Sequence, residues 1–146
     1  MTTEPSCAPT ELLDRLRQAI NDHDLEAMAD CFAPDFLSEF PNHPDRVFRG
    51  REQMRQNWSQ IFAGVPDIQA TLLRSAVHGD TAWAEWEWRG SRRDGQPVLL
   101  RGVTIQVVRA GRVAHARLYM EPVAAAGPGT EAAVRQVVNG EIRAAR

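Results

Sequence analysis

Apolar residues recur at helical spacing through Leu12, Leu13, Leu16, Ala19 and Ile20, so the chain from Pro9 predicts a helix with one stripe facing a core. Thr10 is placed to cap it, and Glu11 favours its first turn. Asn21-Asp22-His23 interrupts the pattern. Asp24 then caps a short second helix carrying Leu25, Met28, Ala29 and Phe32 on one face, and Pro34 ends it. Phe36 to Phe40 reads as a strand, and Pro41-Asn42-His43-Pro44-Asp45 as a loop. Gly50 opens a third helix reaching to about Phe62, with Met54, Trp58, Ile61 and Phe62 as its apolar stripe.

From Asp67 to Pro122 the period changes. Strands are predicted near 67–78, 81–92, 97–109 and 112–121, joined at Gly79-Asp80, Asp94-Gly95 and Ala110-Gly111, all tight hairpin signals. Gly127-Pro128-Gly129 is a linker, after which Thr130 can cap a last helix carrying Val134, Val137, Val138 and Ile142. The chain divides into a leader at 1–8, a folded domain at 9–123, and a linker with a C-terminal helix at 124–146. Three helices followed by an antiparallel meander imply an α+β fold, with helices packed on one face of a strongly curved sheet. Long strands wrapped around helices leave a cavity open at one end, a natural ligand pocket.

Composition narrows the function classes. The 146 residues suit one domain, and 43% hydrophobic with 25% charged residues is the balance of a soluble globule. No run approaches the roughly 18 apolar residues of a membrane span. Met1 to Thr10 has neither the basic start nor the apolar centre of a signal peptide. A net charge of -2 and a pI near 6.1 argue against a nucleic-acid partner. All basic side chains are arginine, which excludes a lysine Schiff base. Cys7 lies in a polar leader and Cys31 in an apolar helical pattern, so two free thiols in a reducing cytoplasm are expected. His23, His43, His78 and His115 are dispersed, and no nucleotide, metal or nucleophile-elbow motif occurs, so neither metal nor cofactor is expected.

Residues 12–123 resemble the SnoaL-like branch of the nuclear transport factor 2-like superfamily, whose fold is a cone of α+β type. The resemblance lies in Asp24-Leu25-Glu26-Ala27, Phe32-Ala33-Pro34-Asp35, Gly50-Arg51-Glu52, Gly111-Arg112-Val113 and Tyr119. It implies the cone and leaves the chemistry open, because that scaffold hosts cyclases, isomerases, epoxide hydrolases, dehydratases and non-enzymes. The family's chemical positions are occupied differently here. The base of the steroid isomerases falls on Phe40, and the tyrosine of their oxyanion hole on Leu16. Their second acid, like the histidine of the polyketide cyclases, falls on Thr104, and the cyclases' aspartate on Leu118. The epoxide hydrolases' Arg and Asp fall on Trp86 and Trp88, and their Tyr and Asn on Ser38 and Phe40. Each departure exchanges a charged or hydrogen-bonding group for an apolar or weakly polar one. A slip at the Ala110-Gly111 turn would put Gln106 or Val103 in place of Thr104.

Thr81 to Trp88 alternates, with Ala82, Ala84, Trp86 and Trp88 on one face and Trp83, Glu85 and Glu87 on the other. The resemblance places the Trp86/Trp88 face inside the cone, as core or as an aromatic wall for a flat ligand. Glu85 and Glu87 should lie outside, where Arg101 and Arg117 can pair with them across strands. His43 is the best acid/base candidate, near the expected mouth. Glu121 is a second candidate, although its parity puts it with Tyr119 rather than Met120. Asn57 and Gln53 flank the third helix's stripe and can supply hydrogen bonds.

The expected pocket is apolar, lined by Leu16, Phe40, Trp58, Trp86, Trp88, Leu118 and Met120, with Ser38, Thr104 and Asn57 as polar points. The expected function is acid–base isomerase, cyclase or hydrolase chemistry on a hydrophobic small molecule, with His43 and Glu121 catalytic. The alternative is a non-catalytic carrier. The expected partner is a second copy of the chain, because Trp83, Val103, Ile105, Val107 and Tyr119 form an apolar patch on the convex sheet face.

Overall fold

Pro9 occupies the first turn of helix α1 (Pro9–Asn21), where its missing N–H costs nothing, in a computed structural model that describes residues 7–140. The cap position is Ala8, which makes no side-chain bond, so Thr10 lies inside the first turn and does not cap. Leu12, Leu13, Leu16, Ala19 and Ile20 are all buried, as their spacing predicts. Each of the leucine and isoleucine side chains contributes roughly 1.5–3 kcal/mol of burial. Asp24 accepts the Ala27 N–H at 3.0 Å and caps helix α2 (Leu25–Asp30).

Helix α2 ends earlier than Pro34 suggests. The chain is already extended in β1 (Phe32–Glu39), and Pro34 lies inside that strand. The strand tolerates it because the pairing slips between Phe32 and Leu37, so no ladder bond is lost there. A 3-10 turn (Pro44–Arg46) and a two-residue strand, β2 (Phe48–Arg49), follow. Gly50, at φ 104°, then opens α3 (Arg51–Gly64).

The meander is β3 (Gln69–His78), β4 (Thr81–Ser91), β5 (Pro97–Arg109) and β6 (Arg112–Pro122). With β1 and β2 it forms one sheet of six strands in the order β2-β1-β6-β5-β4-β3. The sheet is mixed rather than wholly antiparallel, because β1 runs parallel to β6. Local alternation does not encode that pairing. It follows from β6 having a free edge that β1 covers.

The helices lie against the face that carries Ala82, Ala84, Trp86, Ala116 and Met120, all buried. Asn21 ties α1 to β3, its amide donating to Ala70 O at 3.0 Å and accepting from Ala70 N at 2.6 Å. His23, in the turn between α1 and α2, stacks on Phe62 and is 2.9 Å from Ile68 O through Nε2. Helix α4 (Thr130–Val138) is capped at Gly129 rather than Thr130, and its Val134, Val137 and Val138 are exposed. Residues 1–6 of the leader and Ile142 of the last helix lie outside the described residues. Among the described residues no helix is long and apolar enough to cross a membrane.

Candidate functional site

The helices and the inner sheet face enclose a cavity of about 150 Å³. Its closed end is formed by Ile20 of α1, Met28 of α2, Phe36 of β1 and Met54 of α3, all buried. Its shallower part is walled by Phe40, Trp58, Trp88 and Leu118, all only half-buried. Trp58 and Trp88 meet edge to face, with ring centroids 5.3 Å apart and an interplanar angle of 74°. Alternation aims Trp86 and Trp88 inward on β4, Thr104 and Gln106 on β5, and Ala116 and Leu118 on β6.

Four polar side chains reach the lining: Ser38, Asn57, Thr104 and Gln106. The buried Trp86 indole donates to Thr104 Oγ1 at 2.9 Å, which satisfies the largest buried side chain of the fold. Asn57 is engaged by a neighbour on its own helix, its Oδ1 accepting from Gln53 at 2.9 Å. Among the described residues three buried polar side-chain atoms have no hydrogen-bond partner, Arg55 Nε, Trp88 Nε1 and Gln106 Oε1, and the last two belong to the lining. No lining side chain is ionisable near neutral pH.

Of the expected lining residues, Leu16, Ser38, Phe40, Asn57, Trp58, Trp86, Trp88, Thr104 and Leu118 all border this cavity. Met120 does not. It is buried in the core one strand row further on, opposite Gly102. His43 and Glu121 also lie outside the lining and bond to each other instead, Nε2 to Oε1 at 2.6 Å. Glu121 keeps the parity of Tyr119, facing away from Met120. The loop after β1 carries His43 to it, and Arg46 of that loop stands over the Phe40 ring at 5.7 Å.

A second histidine–carboxylate pair, His115 Nε2 to Glu39 Oε1 at 2.6 Å, lies on the outer side of β6 and β1. The outer carboxylates of β4 are satisfied within the chain. Glu87 meets Arg89 and Arg101 at 2.8 and 2.9 Å, and Glu85 meets Arg74 at 3.2 Å. Hydrogen bonds from Arg89 and Arg101 hold the Glu87 carboxyl below the usual carboxylate range. Arg117, expected to pair with these glutamates, reaches Tyr119 instead, at 3.4 Å. Burial pushes the Cys31 thiol up to about 11, so it stays protonated and unreactive near neutrality. Among the described residues no three of His, Cys, Asp or Glu come together as a metal site.

A SnoaL-like domain profile matches residues 13–116, most of the chain and nearly every element that builds the cavity. The chain belongs to the SnoaL-like domain family. A loop-truncated variant of IdmH is 26% identical, with a TM-score of 0.67 over 77% of this chain and 92% of that one. Wild-type IdmH of Streptomyces antibioticus, named as a candidate polyketide cyclase, is 24% identical with a TM-score of 0.68, over 77% of this chain and 91% of that one. A Catenulispora acidiphila protein of ketosteroid isomerase-like fold, in complex with trimethylamine, is 18% identical with a TM-score of 0.65, over 75% and 84%. At such identities the structural likeness shows the fold. Among curated proteins none matches the chain.

Within this SnoaL-like cone one functional candidate, Gln106, is absent from the pocket that the sequence predicts. The signal is there to be read, since Gln106 shares the parity of Thr104, and a glutamine on the inner face of a central strand is a polar group that burial must satisfy.

Proposed function

We propose that this SnoaL-like cone takes up a neutral, largely apolar small molecule and converts it in a reaction of the cyclase or isomerase kind. The observation that supports the reading is the lining: aromatic and aliphatic walls, with polar points that carry no charge. A charged ligand end would lose its hydration with no countercharge in place. A flexible apolar chain, by contrast, is pressed into one folded shape, and restraint of that kind lowers a barrier by up to about 7–11 kcal/mol in favourable cases. In this reading Leu16, Phe40, Trp58, Trp86, Trp88 and Leu118 grip the molecule, and Ser38, Asn57 and Thr104 orient it. Met120 supports them from behind.

A proton, where the reaction needs one, is exchanged with His43, in the loop just beyond Phe40, and its partner Glu121 near the end of β6, by a ligand long enough to pass the Phe40 ring. A carrier without catalysis is the second reading, favoured by the tight pairing of those two residues outside the lining. Mass spectrometry of molecules co-purifying with the protein, before and after renewed incubation with it, separates the two. Conversion to an isomer or a dehydrated ring product is expected, whereas recovery of the molecule unchanged leaves the carrier. On a converted molecule, His43→Ala should lower turnover by about 10²–10⁴-fold with affinity kept within a few-fold. Full turnover in that variant removes the pair from the chemistry.

The proposal includes a homodimer through the convex sheet face. Trp83 is 47% exposed there, and Val103, Ile105, Val107 and Tyr119 are only half-buried in the single chain. A two-fold contact would be self-complementary. Sedimentation equilibrium at micromolar concentration should give twice the chain mass of 16.3 kDa, and a monomer there overturns it.

A further inference from the structure

The deepest polar groups of the cavity form a patch rather than a scatter. Ser38 pairs with Ala116 and Ala116 with Gln106, so the three residues form one row across β1, β6 and β5. Thr104 stands two residues along from Gln106, on the same face. The residues between and beside them are small: Ala116 separates Ser38 from Gln106, while Ala82 and Ala84 lie opposite Gln106 and Thr104. Alanine methyls leave room above the patch that larger side chains would fill. Ser38, Thr104 and Gln106 are each less than 5% exposed to solvent. Bulk water therefore does not satisfy them.

The hydrogen-bonding capacities of the patch are unequal. Thr104 Oγ1 already accepts from Trp86, which leaves its hydrogen to donate. Gln106 Oε1 is buried with no partner among the described residues, an acceptor waiting for a donor. Ser38 can do either. A group that donates one hydrogen bond to Gln106 Oε1 and accepts one from Thr104 or Ser38 answers both the open acceptor and the open donor of the patch. A hydroxyl does both from a single oxygen. A carboxylate offers no hydrogen to Gln106 and brings a charge that no lining side chain balances, and an ammonium group cannot accept from Thr104.

We propose that the cavity selects a neutral hydroxyl group, alcoholic or phenolic, on an otherwise apolar ring-bearing molecule, and seats it against Gln106, Thr104 and Ser38. This rests on the small-molecule reading of the cone. The apolar body then lies toward Trp58 and Trp88. A ring of benzene size fits the space, since an apolar cavity of about 150 Å³ takes up benzene.

The test is calorimetric titration of the full chain with four ring probes of one size: p-cresol, toluene, benzoate and benzylamine. A cavity with no partner for a hydroxyl would favour toluene, because burying an unpaired hydroxyl is unfavourable. Here p-cresol should bind at least tenfold more tightly than toluene, and benzoate and benzylamine should bind more weakly than either. Gln106→Leu should remove the preference for p-cresol while leaving toluene binding within a few-fold, and Ser38→Ala should reduce the preference only in part. Toluene binding as tightly as p-cresol overturns the inference but leaves the cone a small-molecule site. Preference for benzoate or benzylamine overturns it in favour of a charged ligand. Failure of all four probes overturns both the inference and the reading beneath it. Should Gln106→Leu fail to fold, the wild-type ranking of the four probes still decides.

Discussion

Trp86→Ala is expected to bring the protein to the edge of unfolding. The indole is 1% exposed and is the largest fully buried side chain. Truncating a buried aromatic costs about 3–5 kcal/mol, a large part of the roughly 5–15 kcal/mol that holds a domain together. The loss is compounded because Thr104 Oγ1 loses its donor at 2.9 Å. Urea denaturation followed by circular dichroism should show the midpoint collapse. Trp88→Ala is expected to behave differently, because Trp88 is half-buried at the cavity's shallower part and touches Trp58 edge to face. That variant should fold and lose ligand affinity, with the lost stacking contributing about 0.5–1.5 kcal/mol beyond burial. If both variants unfold alike and no apolar ligand perturbs wild-type fluorescence, both indoles are core and the aromatic wall does not exist.

Gly102→Ala should be nearly as damaging, for a reason visible only in the paired strands. A Cβ at Gly102 would lie 2.0 Å from the backbone oxygen of Tyr119 and 2.9 Å from the Cα of Met120. Backbone atoms on a central strand cannot step aside as a flexible side chain can, so β5 and β6 would have to part where they close the sheet below Trp86, the residue opposite Gly102. The expected cost is about 4 kcal/mol or more, in the rare tail of single substitutions. Gly127→Ala is the control. Nothing lies within 4 Å of its Cβ, and a change within about 0.5 kcal/mol is expected. Equal midpoints for the two variants in chemical denaturation would show that β5 and β6 are not packed as described.

Much of the cavity is legible in the amino-acid pattern. The period of two along Thr81–Trp88 and through Thr104 and Leu118 decides which side chains share a face, and nine of the expected lining residues border the cavity. Met120 shares their parity yet sits behind them, since parity gives a face and not a depth. Pro34 misplaces the predicted helix boundary because a proline ends a helix reliably only where nothing else competes. Here the pairing of Phe32 with Val113 has already drawn the chain into the sheet. Residue type and position mark His43 and Glu121 separately as proton carriers, yet nothing local signals their partnership across 78 positions of sequence.

The order of residues alone sets most of the elements and their inward faces, because helical and strand periods are local properties that burial acts on directly. It also sets the neutral character of the cavity, since the residues that alternation turns inward carry no charge. The parallel seat of β1 beside β6, the close approach at Gly102, the outward pairing of His43 with Glu121, and the row that sets Ser38 and Gln106 on either side of Ala116 exist only in the assembled fold. Each depends on register between segments far apart in the chain. Register is settled by which long-range pairing satisfies the most backbone and buries the most surface at once, a competition that no local pattern records.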